Sequence, residues 1–377
     1  MENLNSVAYV GIINEIKPIP GADNIEQATV GGWNCITKKG EYKEGDFVVV
    51  ATTDAVIPQE LSDKMNVTNY LRKGQRVRTV KLRGVYSECL LIPTKYIPGY
   101  GDNYYEGTDM MEKMGIYKYE PPVKQVTLSS GKKIRYQSNP NFHVYYKFPN
   151  MKNVPGIFTE EDNVQITRKI HGTNARYGIV KKLKLSFWDK VKKFFGFADK
   201  WIYYEFVVGS HNVEKGSDSQ GYYDTNVWYE IADKYKLKEK LWNYVKVRAS
   251  IDEIGPGFVI YGEIYGPGIQ KNYDYGLKEL EFAVFDTTWN HEYENVIRTE
   301  HLAKNVLRLP HVPILYTGPW SQKVQDKFVF NNMIEGTKVP HEGIVVKHTS
   351  GERQKIAKVI NPDYLIYGEK HDVGDSH

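Results

Sequence analysis

Apolar residues in the first hundred positions come in short runs separated by turn residues, with strand rather than helical periodicity. Segment 7–13 is one apolar run, and 46–51 reads as a buried strand. Segments 28–30 and 33–37 flank Gly31-Gly32, a hairpin signal. Segment 76–83 alternates charged and apolar residues, as a half-exposed strand does, and 87–92 closes the set. Five or six short strands in this span predict a small Greek-key barrel of the OB type over 1–120.

From 121 to 145 the apolar periodicity fades. Pro121-Pro122 opens the stretch and Ser129-Ser130-Gly131 lies within it, a linker composition. A second domain, 146–377, mixes strand patterns (164–170, 203–208, 257–265, 281–286, 343–348, 354–360) with helical ones. The clearest helix is 226–235, with Asp224 or Thr225 as its cap, and Asp252 ends another before Gly255-Pro256. The fold class is therefore α+β. Segment 181–201 interleaves seven lysines with Phe187, Trp188, Phe194 and Phe195. A basic amphipathic helix meeting nucleic acid or a membrane surface has this composition. The favoured expectation is an inserted helix that packs its aromatics and solvates its lysines.

Composition narrows the class. The 377 residues suggest two or three domains, and 41% hydrophobic with 25% charged residues is ordinary for a soluble globular protein. The net charge of +4 is compatible with a polyanionic partner. The 29 tyrosines suit sheet-rich structure first and base-stacking surfaces second. Cys35 and Cys89 form no disulfide framework. No signal peptide or membrane-length apolar run is present, so a soluble, cytoplasmic protein without membrane contact is expected.

The candidate chemistry centres on Lys169-Ile-His-Gly172, where a strand pattern meets a glycine turn. A lysine there can face a nucleotide phosphate. Far along the chain come Glu263 in Tyr261-Gly-Glu-Ile-Tyr-Gly266, Glu342 in Glu342-Gly-Ile-Val-Val-Lys347, and the pair Lys355 and Lys358. A lysine is a poor nucleophile at neutral pH unless desolvation or nearby positive charge removes its proton. Lys347, Lys355 and Lys358 can supply that charge and bind phosphates, while Glu263 and Glu342 suit a divalent metal, directly or through its waters. Gly172 leaves room for a ligand. Strand alternation puts Lys355 and Lys358 on opposite faces, which favours Lys358. It also separates Glu342 from Lys347 unless Gly343 opens a bulge. A second Lys-x-x-Gly, at Lys193, belongs to the charged run and reads as coincidence. Zinc clusters, a P-loop and a dinucleotide fingerprint are absent, and His171 and His211 have no visible serine or cysteine partner.

Taken in order, Lys169-Ile-His-Gly-Thr-Asn174, Tyr261-Gly-Glu-Ile-Tyr-Gly266, Phe282-Ala-Val-Phe-Asp286, Glu342-Gly-Ile-Val-Val-Lys347 and Lys355-Ile-Ala-Lys358 resemble the motifs of covalent nucleotidyltransferases. The His-Gly-Thr-Asn run is similar to that of ATP-dependent RNA ligases. Gly31-Gly-Trp33, Lys38-Lys-Gly40, the 76–84 stretch, Lys118-Tyr-Glu-Pro-Pro122 and the 312–320 stretch look like the Naegleria/Deinococcus-type branch. The resemblance implies an amino-terminal OB domain and a nucleotidyltransferase (ATP-grasp-like ligase) domain of antiparallel sheets with flanking helices. Only 19 residues follow Lys358, which leaves no room for the carboxy-terminal OB domain of DNA ligases and capping enzymes.

Residue by residue, the resemblance makes Lys169 the adenylated lysine. It puts His171, Gly172, Thr173 and Asn174 at the nucleotide pocket and Phe285 against adenine. Glu263 falls at the ribose or the shell of a Mg²⁺ or Mn²⁺ ion, Glu342 at a water of that ion, and Lys347, Lys355 and Lys358 at phosphates. The last motif departs from the Lys-x-Lys usual in relatives. Ser210, His211 and Asn212 match loosely a polar cluster near the ribose and 5′-phosphate. Arg76, Arg78, Lys81 and Arg83 are the expected RNA contacts of the barrel. The implied activity is joining of RNA 3′-hydroxyl and 5′-phosphate ends in a nicked duplex or at single-stranded ends, in RNA repair, by a monomer using ATP. The alternatives are a DNA-preferring ligase, a guanylyltransferase, or a non-catalytic RNA-binding protein of the same fold.

Overall fold

The computed structural model describes residues 6–99, 104–119, 139–197, 199–211, 213–215, 226–250, 255–371 and 373. Asn212, the cap candidates Asp224 and Thr225, Asp252 and most of the expected linker lie outside the described residues.

The amino-terminal domain is an OB fold built as a near-closed barrel. Its five-stranded antiparallel sheet runs, in spatial order, Trp33–Lys38, Ile25–Val30, Ala8–Pro18, Phe47–Thr52, Cys89–Pro93. The predicted hairpin forms, with Val30 opposite Trp33 and Gly31 at φ 56° in the tight turn. Ala8–Pro18 is longer than its apolar run because a register shift between Ile13 and Glu15 lets it continue past the core. The predicted strand 76–83 shrinks to Val80–Leu82, hairpinned with Val85–Ser87. Val77 and Thr79 are buried outside a regular strand, although the Val77 N–H donates to the Ala55 carbonyl at 2.8 Å.

The second domain has two antiparallel sheets. One is ordered Ile314–Pro319, Asn163–Lys169, Gly343–His348, Ile356–Ile360. The other is ordered Glu214–Lys215, Tyr204–Gly209, Thr173–Lys181, Gly257–Tyr265, Glu281–Trp289, Glu292–Tyr293. The helices Val227–Lys234 and Leu237–Arg248 cover one face of the larger sheet, burying Tyr177, Ile231, Leu241, Phe258 and Phe282. Strand alternation sends Ile166, Ile344, Val346 and Val359 of the smaller sheet into a separate core. The remaining faces look at one another. Residues 139–145, which weak periodicity assigns to a linker, pack on the inner face of the larger sheet, where Phe142 and Tyr145 are buried with Val259 and Tyr261.

The two domains touch through specific bonds. Trp33 Nε1 donates to Asn153 Oδ1 at 3.0 Å, Lys152 pairs with Glu88, and Tyr86 donates to Asp363 at 2.8 Å. Among the described residues, no helix is long and apolar enough to cross a membrane.

One expectation fails. The 181–201 segment forms the helix Phe187–Phe194, but its aromatics are not packed: Phe187, Trp188, Phe194 and Phe195 are all exposed.

Candidate active site

Lys169 ends a strand of the smaller sheet and Thr173 begins one of the larger, so the three residues between them cross from sheet to sheet. The crossing is tight. A Cβ on Gly172 would sit 2.2 Å from the carbonyl oxygen of Ile264, so the glycine is demanded by backbone approach and not by space for a ligand. Gln270 locks the turn by donating to the Gly172 carbonyl.

Register then sorts the other residues. Lys169 pairs with Gly343, Val345 with Lys358, and Lys347 with both Gln165 and Ile356. Lys169, Lys347 and Lys358 therefore share the inner face. Lys355 falls on the other side and pairs with Asp162, away from the three, as its spacing from Lys358 requires. Gly343 opens no bulge: its strand keeps register against both neighbours. Glu342 reaches the inner side because it precedes the strand, and its Oε1 lies 2.5 Å from Lys169 Nζ. A side chain on Gly343 would meet the Val359 carbonyl at 2.1 Å, so the approach to Glu342 also depends on glycine.

On the larger sheet Glu263 stands opposite Asn174, five residues after Lys169. Burial pushes the Glu263 carboxyl up to about 8; Glu342 adds to the rise and Lys169 opposes it. Phe285 is the extra residue of a bulge, since Tyr261 pairs with Asp286 but Gly262 with Val284. That bulge sets Phe285 and Asp286 side by side at the inner face.

Asp286 is a residue the motif reading quoted without assigning. It accepts from Lys347 and Arg353, each at 2.9 Å, and from the Tyr145 hydroxyl at 2.9 Å. Burial opposes its charge, but Lys347 and Arg353 outweigh that and hold it below the usual carboxylate range. Lys347, 6% exposed, also donates to the Phe285 carbonyl at 2.8 Å. It joins the two sheets through these bonds. Arg353 had no signal beyond its charge, because its partner lies 67 positions away.

His171 is buried. Its N–H donates to the Tyr275 hydroxyl at 2.6 Å, its ring packs edge-on to Tyr273 and Tyr364, and Nδ1 lies 4.0 Å from Glu342 Oε2. Thr173 is buried opposite Ile264, while Asn174 stays half-buried beside Glu263. Ser210 is tied down by its carbonyl, which accepts from buried Arg176 at 2.9 Å, and half-buried His211 follows it. Among the RNA-contact candidates, Arg76 pairs with Asp54, Arg78 lies 3.8 Å from Glu369, and Lys81 lies 3.7 Å from Asp363. The last two carboxylates belong to helix Pro362–His371 of the second domain. Arg83 stays exposed at φ 50°.

A divalent ion fits this donor set. Glu263 and Glu342 converge on Lys169, and Glu342 Oε2, though buried, has no hydrogen-bond partner among the described residues. No group of three or more acidic, histidine or cysteine ligands exists among the described residues, so a cation here keeps water or phosphate oxygens in its shell.

The perturbed glutamate carries a test. A carboxyl with a raised folded-state pKa lends stability that is full below its unfolded value near ~4.3 and is lost as pH rises through about 8. Stability of the metal-free protein should therefore fall between those limits. Glu263→Gln should flatten that slope and leave the variant more stable than wild type at pH 8, by roughly 1–3 kcal/mol. Denaturant melts from pH 5 to 9 would show it; parallel curves for the two proteins would refute it.

Comparison with known proteins agrees with this geometry. Residues 7–94 match a family model described as an OB-fold domain, and 162–360 match the RNA ligase family. No curated protein matches. Among solved structures, a mutant Naegleria gruberi RNA ligase with AMP and Mn is 25% identical, with TM-score 0.71, covering 98% of this chain and 99% of that one. Another mutant of that ligase, with ATP and Mn, is 26% identical, with TM-score 0.71 and the same coverage. A ligand-free mutant covers 97% and 98% at 25% identity and TM-score 0.71. With its family match spanning more than half its length and its lysine, carboxylates and inner-face strands in one place, this chain belongs to the RNA ligase family.

Proposed function

We propose that the protein is an ATP-dependent RNA ligase that seals RNA ends through a lysyl-AMP intermediate, in RNA repair. The observation that carries this is the meeting of Lys169 with Glu342 and Glu263 where the two sheets join. The relatives solved with ATP or AMP and Mn support the choice of nucleotide and metal.

In the first step Lys169 Nζ attacks the α-phosphorus of ATP, forming a P–N bond and expelling pyrophosphate. AMP then passes to an RNA 5′-phosphate, giving a 5′–5′ pyrophosphate and freeing the lysine. An RNA 3′-hydroxyl attacks that 5′-phosphate and releases AMP. Phe285 faces adenine, and Lys358 on the inner face binds phosphate. Glu263 and Glu342 would hold a Mg²⁺ or Mn²⁺ ion, which would supply positive potential to stabilise charge developing on phosphate and favour the neutral amine. His171 packs beside Glu342, its Nδ1 4.0 Å from Oε2. Asn174, and the Ser210–His211 turn anchored by Arg176, line the approach for ribose and the 5′-phosphate.

The direct test is a nicked RNA duplex and a single-stranded RNA, each 5′-phosphorylated, with ATP and either metal. Joined product together with trapped AMP–RNA is the expected result. Lysine labelling by GTP in place of ATP would indicate guanylyl transfer, and joining of DNA strands in preference to RNA would overturn the substrate.

The barrel's charges should divide by partner. Arg83→Ala should weaken RNA binding and reduce its salt slope by about one unit, with adenylation intact. Arg78→Ala and Lys81→Ala should instead loosen the contact with helix Pro362–His371. Filter binding across a salt series, beside proteolysis rates, separates the two. An RNA salt slope altered equally by all three would contradict this division.

A further inference from the structure

The connection between strands Thr173–Lys181 and Tyr204–Gly209 takes no part in the site described above. Lys181 lies about 26 Å along its strand from Thr173, at ~3.3 Å per residue. The helix Phe187–Phe194 here is ordered by its own ends. Ser186 Oγ accepts from the Asp189 N–H and the Asp189 carboxylate accepts from the Ser186 N–H, both at 3.1 Å. Lys182 pairs with Asp189 at 2.7 Å. Gly196, at φ 73°, stops the helix while the Phe197 N–H donates to Lys192 O at 3.0 Å. None of these contacts uses the apolar face.

That face is sharply segregated. At ~100° per residue, Phe187, Trp188, Val191, Phe194 and Phe195 fall within an arc of about 120°. Lys190 and Lys192 stand at its two margins and Lys193 behind it. Trp188 is 70% exposed and Phe194 84%. Residues 181–200 hold seven lysines against Asp189 and Asp199, an excess of five on a chain whose total is +4. The rest of the protein is therefore close to neutral, and its positive charge is gathered around this apolar face.

We propose that this helix docks the protein on an anionic lipid bilayer, lying in the headgroup plane with its rings in the acyl boundary. The lysines at the margins reach lipid phosphates and carboxylates while their stems cover the edge of the apolar strip. Single-stranded RNA fits less well. Base stacking needs flat ring faces with cations on the same side. Here Phe187 and Trp188 meet edge-on at 5.7 Å, Phe194 and Phe195 at 5.3 Å, and the lysines avoid the apolar face. A second copy would bring two such positive segments together. Docking at this end leaves the inner faces at Lys169 open to substrate. The proposal does not depend on the ligase chemistry.

Flotation of the full chain with phosphatidylcholine vesicles, with and without phosphatidylserine, tests it. Wild type should float only with the anionic vesicles and be released by high salt. Trp188→Ala/Phe194→Ala should stay at the bottom. Lys190→Gln/Lys192→Gln/Lys193→Gln should bind on the order of a hundredfold more weakly, at roughly fivefold for each lysine lost. Both variants should keep the wild-type melting temperature, since every altered side chain is exposed and, of the three lysines, Lys193 lies over a ring, that of Tyr203 at 5.7 Å. The idea is overturned if wild type ignores anionic vesicles or the variants float equally well. It is also overturned if the variants lose single-stranded RNA affinity or a wild-type dimer in place of vesicle binding.

Discussion

Lys169→Ala should show no labelled band after incubation with α-labelled ATP and a divalent metal, where wild type is labelled. The reason is stoichiometric: the P–N bond needs the Nζ atom, and among the described residues no other lysine ends the strand Asn163–Lys169 beside Glu342. Lys347 is held by Asp286 and Lys355 by Asp162. Lys193, the lysine of the second Lys-x-x-Gly, sits on an exposed helix beyond the far end of strand Thr173–Lys181. Lys193→Ala should label normally. A sharper outcome concerns the last step. Joining of RNA already carrying a 5′-adenylyl group needs no covalent lysine, so Lys169→Ala should keep part of that activity while losing ATP-driven joining entirely. Labelling that persists in the variant would remove Lys169 as nucleophile. No label in a folded, AMP-free wild type would favour a non-catalytic RNA-binding role.

The second large effect is on stability. Asp286→Ala removes the carboxylate shared by Lys347, Arg353 and Tyr145 and leaves a buried ammonium without its counter-ion. Breaking one side of a buried pair costs about 3–5 kcal/mol. The six-stranded sheet meets the four-stranded one through this contact, so the loss should also reach the site. Adding Lys347→Met should recover part of it, which a double-mutant cycle in denaturant would register. The pH dependence has a definite sign. A carboxylate held below its usual range gives stability that is present above the unfolded pKa near ~3.9 and disappears as pH falls through the lower folded value. Wild type should thus lose this advantage over Asp286→Ala only in strong acid. A difference between them that stays constant from neutral pH to below pH 2, or a cost under ~1 kcal/mol, would show that the triad is not a structural joint.

What could be read along the chain follows from local rules. Strand periods located Gly257–Tyr265 and Gly343–His348 to within a residue. The same alternation separated Lys355 from Lys358, because side-chain direction in a strand repeats every two residues wherever the strand lies. The order of motifs singled out Lys169, Glu263 and Glu342, which the fold brings together. Local pattern also predicted strand 76–83, and there it failed. Arg76 makes only isolated bridges, to Val56 and Arg72, and of the predicted span only Val80–Leu82 forms a regular strand.

Other features are set by pairs of residues far apart in the chain. Gly172 looked like space for a ligand, yet the carbonyl that requires it is Ile264's, 92 positions on. Lys347 reads as a phosphate ligand from its motif, and only the fold shows Asp286 paired with it. Arg78 and Lys81 looked like a free basic strip, but Glu369 and Asp363 approach them from the other end of the chain. The aromatics of Phe187–Phe194 have the pattern of a packed face, and the sequence cannot say whether a surface exists to cover them. By itself the sequence determined the strand pattern, the barrel followed by a ligase-type domain, and which lysine and carboxylates could react. The tertiary structure decided which charges neutralise each other and which faces remain open. Spacing governs direction along one strand, but burial and ion pairing depend on what another segment brings to the same point.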